Sequence, residues 1–160
     1  MMKMSNAPET FRTKKSVMLD TCFIIHEIKM QKEARLIEFC KNNTVLINTF
    51  NLEELKKVSK KLGHEKKRLK HFLENAEYNI IDVPIHLGDF ELEREYINTF
   101  DDNLLKKIKD PSDGVLVVCA IKSGSNIITR DKHHLFTEQL EEEMQKYGLL
   151  VYNDISTYTS

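Results

Sequence analysis

The sequence predicts a three-layer α/β fold with a mostly parallel sheet, and three observations carry that prediction. Short apolar, β-branched runs alternate along the chain with longer segments of helical periodicity. The late carboxylates Asp113 and Asp131 are 131 − 113 = 18 residues apart, room for a helix, a turn and a short strand. At 160 residues the chain is large enough to bury a proper core as one domain.

The first strand is expected over residues 16–20, where an apolar run stops on Asp20. Helical segments follow over 21–26 and 29–42, with Leu36, Ile37 and Cys40 recurring on one face. Asn42 and Asn43 stop the helix, and residues 44–48 form a second strand candidate. Asn51 is expected to cap a helix carrying Leu52, Leu55, Val58 and Leu62, which Gly63 breaks. Another helix begins near His64, with Leu69, Phe72, Leu73 and Ala76 as its apolar set. Residues 78–83 are the third strand candidate, before Pro84. The mostly acidic stretch 88–108 is helical, with an interruption near Asp101 and Asp102. Residues 113–123 are continuously apolar and suit a buried helix or a strand; the loop before them and the β-rich Ile127 and Ile128 after them favour helix. A helix over 137–146 and a strand over 149–152 complete the pattern.

Composition narrows the class. No apolar run approaches the roughly 18 residues of a spanning helix, and residues 1–15 lack an apolar signal core, so they are expected to be an unstructured arm before a single domain over 16–155. The net charge of −1 gives no global nucleic-acid signature. Cys22, Cys40 and Cys119 are odd in number, widely spaced and set among apolar residues, as expected of reduced core thiols in a cytoplasmic protein.

In a parallel sheet, strand ends and the starts of following helices share one edge, where open α/β sheets bind ligands. That rule places Asp20, Glu54, Asp113 and Asp131 together. Four carboxylates in proximity raise one another's pKa, and a divalent cation relieves the conflict; an oxygen-only set suits Mg²⁺ or Mn²⁺. Each acid also has a plainer reading. Glu54 could close a capping box onto Asn51, Asp113 could complement a helix dipole with Asp110 or Ser112 as the cap, and Asp131 could be turn chemistry. Glu53 competes with Glu54, and Asp110 with Asp113.

The motifs Val17-Met18-Leu19-Asp20-Thr21, Asn51-Leu52-Glu53-Glu54-Leu55, Ser112-Asp113-Gly114 and Ile128-Thr129-Arg130-Asp131 together resemble a PIN domain, over roughly residues 16–152. The resemblance implies a three-layer α/β/α fold with a central, mostly parallel five-stranded sheet, and a metal-dependent ribonuclease hydrolysing RNA phosphodiester bonds. It implies Asp20, Glu54, Asp113 and Asp131 as metal-binding acids, Thr129 as the hydroxyl residue before the last acid, and Mg²⁺ or Mn²⁺ as the ion. Small members of that family include VapC-type toxins, so an antitoxin partner and a homodimer are implied partners; an RNA-processing nuclease and a catalytically silent binding module are the alternatives. The helical segment 62–109 is longer than a compact toxin needs.

Eight basic residues lie within 56–70, with Glu65 the lone acid. Such a run is commonly a solvated helix face; the functional reading is a phosphate-binding ridge, with Lys66, Lys67 and Arg68, and Arg130 and Lys132 beside Asp131, as RNA contacts. The acidic stretches 89–102 and 138–143 are expected on the opposite face. A haloacid-dehalogenase-type site would need an acid at position 22, which is Cys22.

Overall fold

The alternation of apolar and amphipathic segments resolves, in a computed structural model describing residues 15–108, 110–130 and 137–158, into a sheet wrapped on both faces by helices. In chain order these are β1 (Val17–Leu19), α1 (Thr21–Lys29), α2 (Glu33–Asn42), β2 (Val45–Asn48), α3 (Thr49–Ser59), α4 (Glu65–Asn75) and β3 (Asn79–Ile81). Then come α5 (Phe90–Phe100), α6 (Leu104–Lys107), α7 (Pro111–Ser123), β4 (Asn126–Ile128), α8 (Glu138–Gln145), β5 (Val151–Tyr152) and a 3₁₀ turn over Ile155–Thr157. The arm 1–14 and the segment 131–136, with Asp131, Lys132, His133 and His134, lie outside the described residues.

All pairings in the five-stranded sheet are parallel, in the order β3-β2-β1-β4-β5. The chain starts at the centre, winds outward to β3, then returns through α5, α6 and α7 to place β4 against β1. The strand order therefore reverses between β1 and β4, and the crevice beyond their carboxyl ends is where such sheets hold ligands.

Period-two alternation sorts the strand side chains into two cores. Met18, Leu46 and Ile127 face the layer of α5, α7 and α8. Val17, Leu19, Val45, Ile47 and Ile128 face α1, α2 and α4, with Phe23, Leu36 and Phe72. The ambiguous 113–123 stretch is a helix. Its residues from Val115 to Ala120 are all buried, and a helix apolar all round must be enclosed by its neighbours. Asp110 caps α7 by accepting from Ser112 N–H at 3.0 Å, Pro111 opens it, and Gly124 at φ 67° closes it in a left-handed cap. The helix over 88–108 breaks at Asp101, the interruption expected from the sequence.

Two expectations are corrected. The helix after β2 starts at Thr49, capped by Asn48, whose Oδ1 accepts from Asn51 N–H at 2.7 Å. Asn51 is therefore inside the helix and is not the cap; Asn48 has the extended backbone that a cap requires. Cys40 and Cys119 are buried free thiols, but Cys22, in the first turn of α1 just past β1, is only half-buried.

The C-terminal turn is fixed by charge. Arg35 donates to the buried Glu27 at 2.6 Å and to Asp154 at 2.9 Å, joining α1, α2 and the last turn. Burial pushes the Asp154 carboxyl up, but hydrogen bonds from Ser156 and Arg35 and the Arg35 charge outweigh it and hold it at about 2. A folded pKa below the unfolded 3.8 stabilises the fold above that pH, and the contribution fades as pH falls toward 2. Asp154→Asn is expected to cost about 2 kcal/mol at pH 7. The gap from wild type, measured by denaturant titration, should narrow steadily between pH 4 and 2; a pH-independent gap would contradict the linkage.

Candidate active site

The topology delivers three of the four predicted acids to one cleft of about 430 Å³, lined by Asp20, Thr21, Cys22, Ile25, His26, Lys29, Glu54, Val58 and Asp113. Asp20 follows β1 directly, and its N–H bonds the Ile128 carbonyl at 3.0 Å, so the ends of β1 and β4 are tied at the strand-order reversal. Thr129, just past β4, is fully buried and donates its hydroxyl to Asp20 Oδ2 at 2.8 Å. The Cys22 thiol donates to the same oxygen at 2.8 Å. Burial first, then the Asp20 charge, push the Cys22 thiol to about 12, so it stays protonated and remains a donor.

Glu54 comes from the second turn of α3, which β2 feeds without a loop. Its Oε1 accepts from Asn51 Nδ2 at 2.6 Å and from the Thr21 hydroxyl at 3.1 Å, while Asn51 Nδ2 also reaches Thr21 Oγ1 at 3.1 Å. Glu54 is thus held by side chains of α1 and α3, not by a capping box. Burial and then the negative charge of Asp20 raise its carboxyl to about 7, with Asp110 adding to them against the hydrogen bonds from Thr21 and Asn51. The like charges of Asp20 and Asp110 thus bear on Glu54.

The structure distinguishes the competing acids by position. Glu53 turns to the surface, where it contacts His86 at 2.9 Å and accepts from Leu87 N–H at 3.2 Å. Asp110 caps α7, and Asp113 lines the cleft. Asp131 and Lys132 lie outside the described residues. Lys66 and Lys67 are exposed on α4, whereas Arg68 is drawn inward to the Ile28 carbonyl at 3.4 Å and to Glu33 at 3.8 Å. Arg130 contacts Asp154 at 3.5 Å.

Sequence reasoning links Asn51 to Glu54 only through a capping box, where the structure has the Asn51 side-chain amide donating, and it misses Cys22 as a partner of Asp20 and His26 and Lys29 as cleft residues. Helical spacing was the available signal for the last two: His26 lies four residues after Cys22 on α1, and Lys29 a further turn on, so they follow the same face.

Among the described residues, no three His, Cys, Asp or Glu side chains stand close enough to cage an ion. A small hard cation does not require that. Mg²⁺ keeps several waters and is held by one or two carboxylates, and the cleft offers carboxylate oxygens from three elements. The raised Glu54 carboxyl marks a place where positive charge would be stabilising. The donor set fits a hydrated divalent ion.

A family model described as PIN domain matches residues 17–138. No curated protein matches the chain in sequence. Among solved structures, the fold is similar to that of a chain in the crystal structure of VapBC2 from Rickettsia felis bound to a DNA fragment from their promoter. The TM-score is 0.53 at 19% identity, over 85% of this chain and 96% of that one. At that identity the likeness is one of fold. No described helix is long and apolar enough to cross a membrane.

Proposed function

The chain belongs to the PIN domain family, whose members are generally nucleases, and on that premise we propose that it is an Mg²⁺- or Mn²⁺-dependent endoribonuclease. The observation that carries this reading is the convergence of Asp20, Glu54 and Asp113 on one cleft at the strand-order reversal, next to Thr129. Asp131, which follows Thr129 by two residues, is proposed as the fourth acid of the set.

A bound divalent ion would supply charge stabilisation for an attacking water and a departing oxygen of the phosphodiester. The chain's own residues do the rest. Thr129 and Cys22 fix the orientation of Asp20 from one oxygen, and Thr21 and Asn51 do the same for Glu54. Ile25 and Val58 give the cleft apolar walls, and Lys29 places a cation at its margin.

The basic residues of α3 and α4 are proposed as the phosphate-contacting ridge. α3 carries Glu54 and Val58 into the cleft lining, and Lys56, Lys57 and the capping residue Lys60 are exposed. Lys66 and Lys67 are the α4 members to reverse, since Arg68 is engaged with α1 and α2. Lys66→Glu with Lys67→Glu should weaken RNA binding and reduce the slope of log affinity against log salt by about 0.7 for each lost contact. An unchanged slope would return these lysines to the role of a solvated face.

The fold shared with VapBC2 favours a toxin of a toxin–antitoxin pair with an antitoxin as partner, and a second copy of the chain is proposed from the family resemblance alone. Three free cysteines support a cytoplasmic location. The deciding experiment is incubation of the purified protein with a panel of structured RNAs in Mg²⁺, Mn²⁺ or EDTA. Cuts that need the metal are the expected result; RNA binding without cutting under either ion would favour a silent binding module.

A further inference from the structure

Asp20 and Glu54 owe their positions to the sheet: one directly follows β1, the other sits in a helix joined without a loop to β2. Asp113 is not joined to a strand in this way: its helix α7 follows the short α6, and contacts from α5 meet its first turn.

Resting on the nuclease reading, we propose that Glu93 is a positioning residue for Asp113, gripping together with Ile97 the two residues that flank it. Glu93 and Ile97 are four residues apart on α5 and both fully buried. Glu93 Oε1 accepts the Ser112 hydroxyl at 2.9 Å, immediately before Asp113. Glu93 Oε2 accepts Gly88 N–H at 3.2 Å, which ties the loop entering α5 into the same contact. Immediately after Asp113, a Cβ on Gly114 would come within 2.6 Å of Ile97 Cδ1 and 3.3 Å of Cγ1, an approach of α5 to α7 that a side chain obstructs. The residues flanking Asp113 are therefore both held by α5, Ser112 through its hydrogen bond to Glu93 and Gly114 through close contact with the Ile97 side chain.

The chemistry of Glu93 supports a specific task. A buried carboxylate is costly unless paired, yet Glu93 forms no ion pair among the described residues and is met by neutral donors. Packing alone would be served by an apolar side chain of similar size. A carboxylate at this place offers two acceptors to the Ser112 hydroxyl and the Gly88 amide, and its charge lies toward the N-terminal turn of α7, where the helix dipole favours it.

The test measures Mn²⁺ dissociation constants by electron paramagnetic resonance, together with the Mn²⁺ concentration for half-maximal cleavage and KM for RNA. It compares wild type, Glu93→Gln, Ser112→Ala, Ser112→Thr and the exposed-site control Glu95→Gln, each checked for a wild-type fold by circular dichroism. Ser112→Ala and Glu93→Gln should raise both Mn²⁺ values about tenfold or more, as loss of a partner behind a metal ligand commonly does, with KM unchanged. Ser112→Thr keeps the hydroxyl and should restore the wild-type values, and Glu95→Gln should match them. Ser112→Ala keeps the test decisive if Glu93→Gln fails to fold. Wild-type Mn²⁺ values in folded Ser112→Ala, beside an active wild type, overturn the inference and leave the nuclease reading intact. A wild-type chain that neither binds Mn²⁺ nor cuts RNA overturns that reading and the inference with it.

Discussion

Asp20→Asn is expected to abolish metal-dependent RNA cleavage, by about 10³-fold or more, equivalent to roughly 4 kcal/mol of lost transition-state stabilisation. Asparagine keeps the size of the side chain and an oxygen able to accept the Thr129 hydroxyl at the position of the 2.8 Å bond. What it removes is the charge. That charge has two roles in the proposed centre: it would attract a cation, and it adds to burial in raising the Glu54 carboxyl to about 7. The variant should therefore behave like wild type in EDTA for activity while its Glu54 titrates lower, a shift visible by carboxyl NMR. Because a like-charge conflict is relieved at neutral pH, the melting temperature should hold or rise. Full activity in a folded variant would remove Asp20, and with it the proposed centre, from consideration.

The site was legible in the sequence to the extent that topology dictates it. Asp20 ends an apolar strand and Asp113 opens a helix; once the sheet is parallel, both must lie at its carboxyl edge whatever their side chains do. The choice between Glu53 and Glu54 was not legible, because both precede Leu55 and the decision rests on His86 and Leu87, more than thirty residues on, which draw Glu53 away. Asn51 reads as a cap from sequence because Asn48, three residues earlier, is an equally good capping residue, and which one caps depends on where β2 stops pairing. Cys22 was placed in the core because its neighbours are apolar, although a residue just past a strand end opens onto the cleft. Glu93 sits in a run whose neighbours Glu91 and Glu95 are exposed, and its burial follows from the approach of α5 to α7, which no local pattern encodes.

The layers bear on the site through one residue that the apolar pattern did not single out. Phe50 is fully buried and packs in the core of α5, α7 and α8, while Leu55, on the same helix, packs in the opposite core. α3 thus passes over the carboxyl edge of the sheet from one layer to the other, and Glu54 lies on the part that crosses. Phe50→Ala is expected to destabilise the protein by about 3–5 kcal/mol, lowering its melting temperature by roughly 10 °C for a chain of this size. Phe72→Ala provides the comparison. Phe72 is equally buried, stacks on Tyr78 at 6.1 Å and sits on α4, away from the acids. The two variants should lose similar stability, since both delete a buried ring. At a temperature where both remain folded, Phe50→Ala should lose the greater share of cleavage, because the cavity opens beneath the turn that carries Asn51 and Glu54 and their 2.6 Å bond. Equal losses of activity in the two variants would mean that Glu54 is held by its hydrogen bonds to Asn51 and Thr21 alone, and that packing across the sheet edge contributes stability without placing the acid.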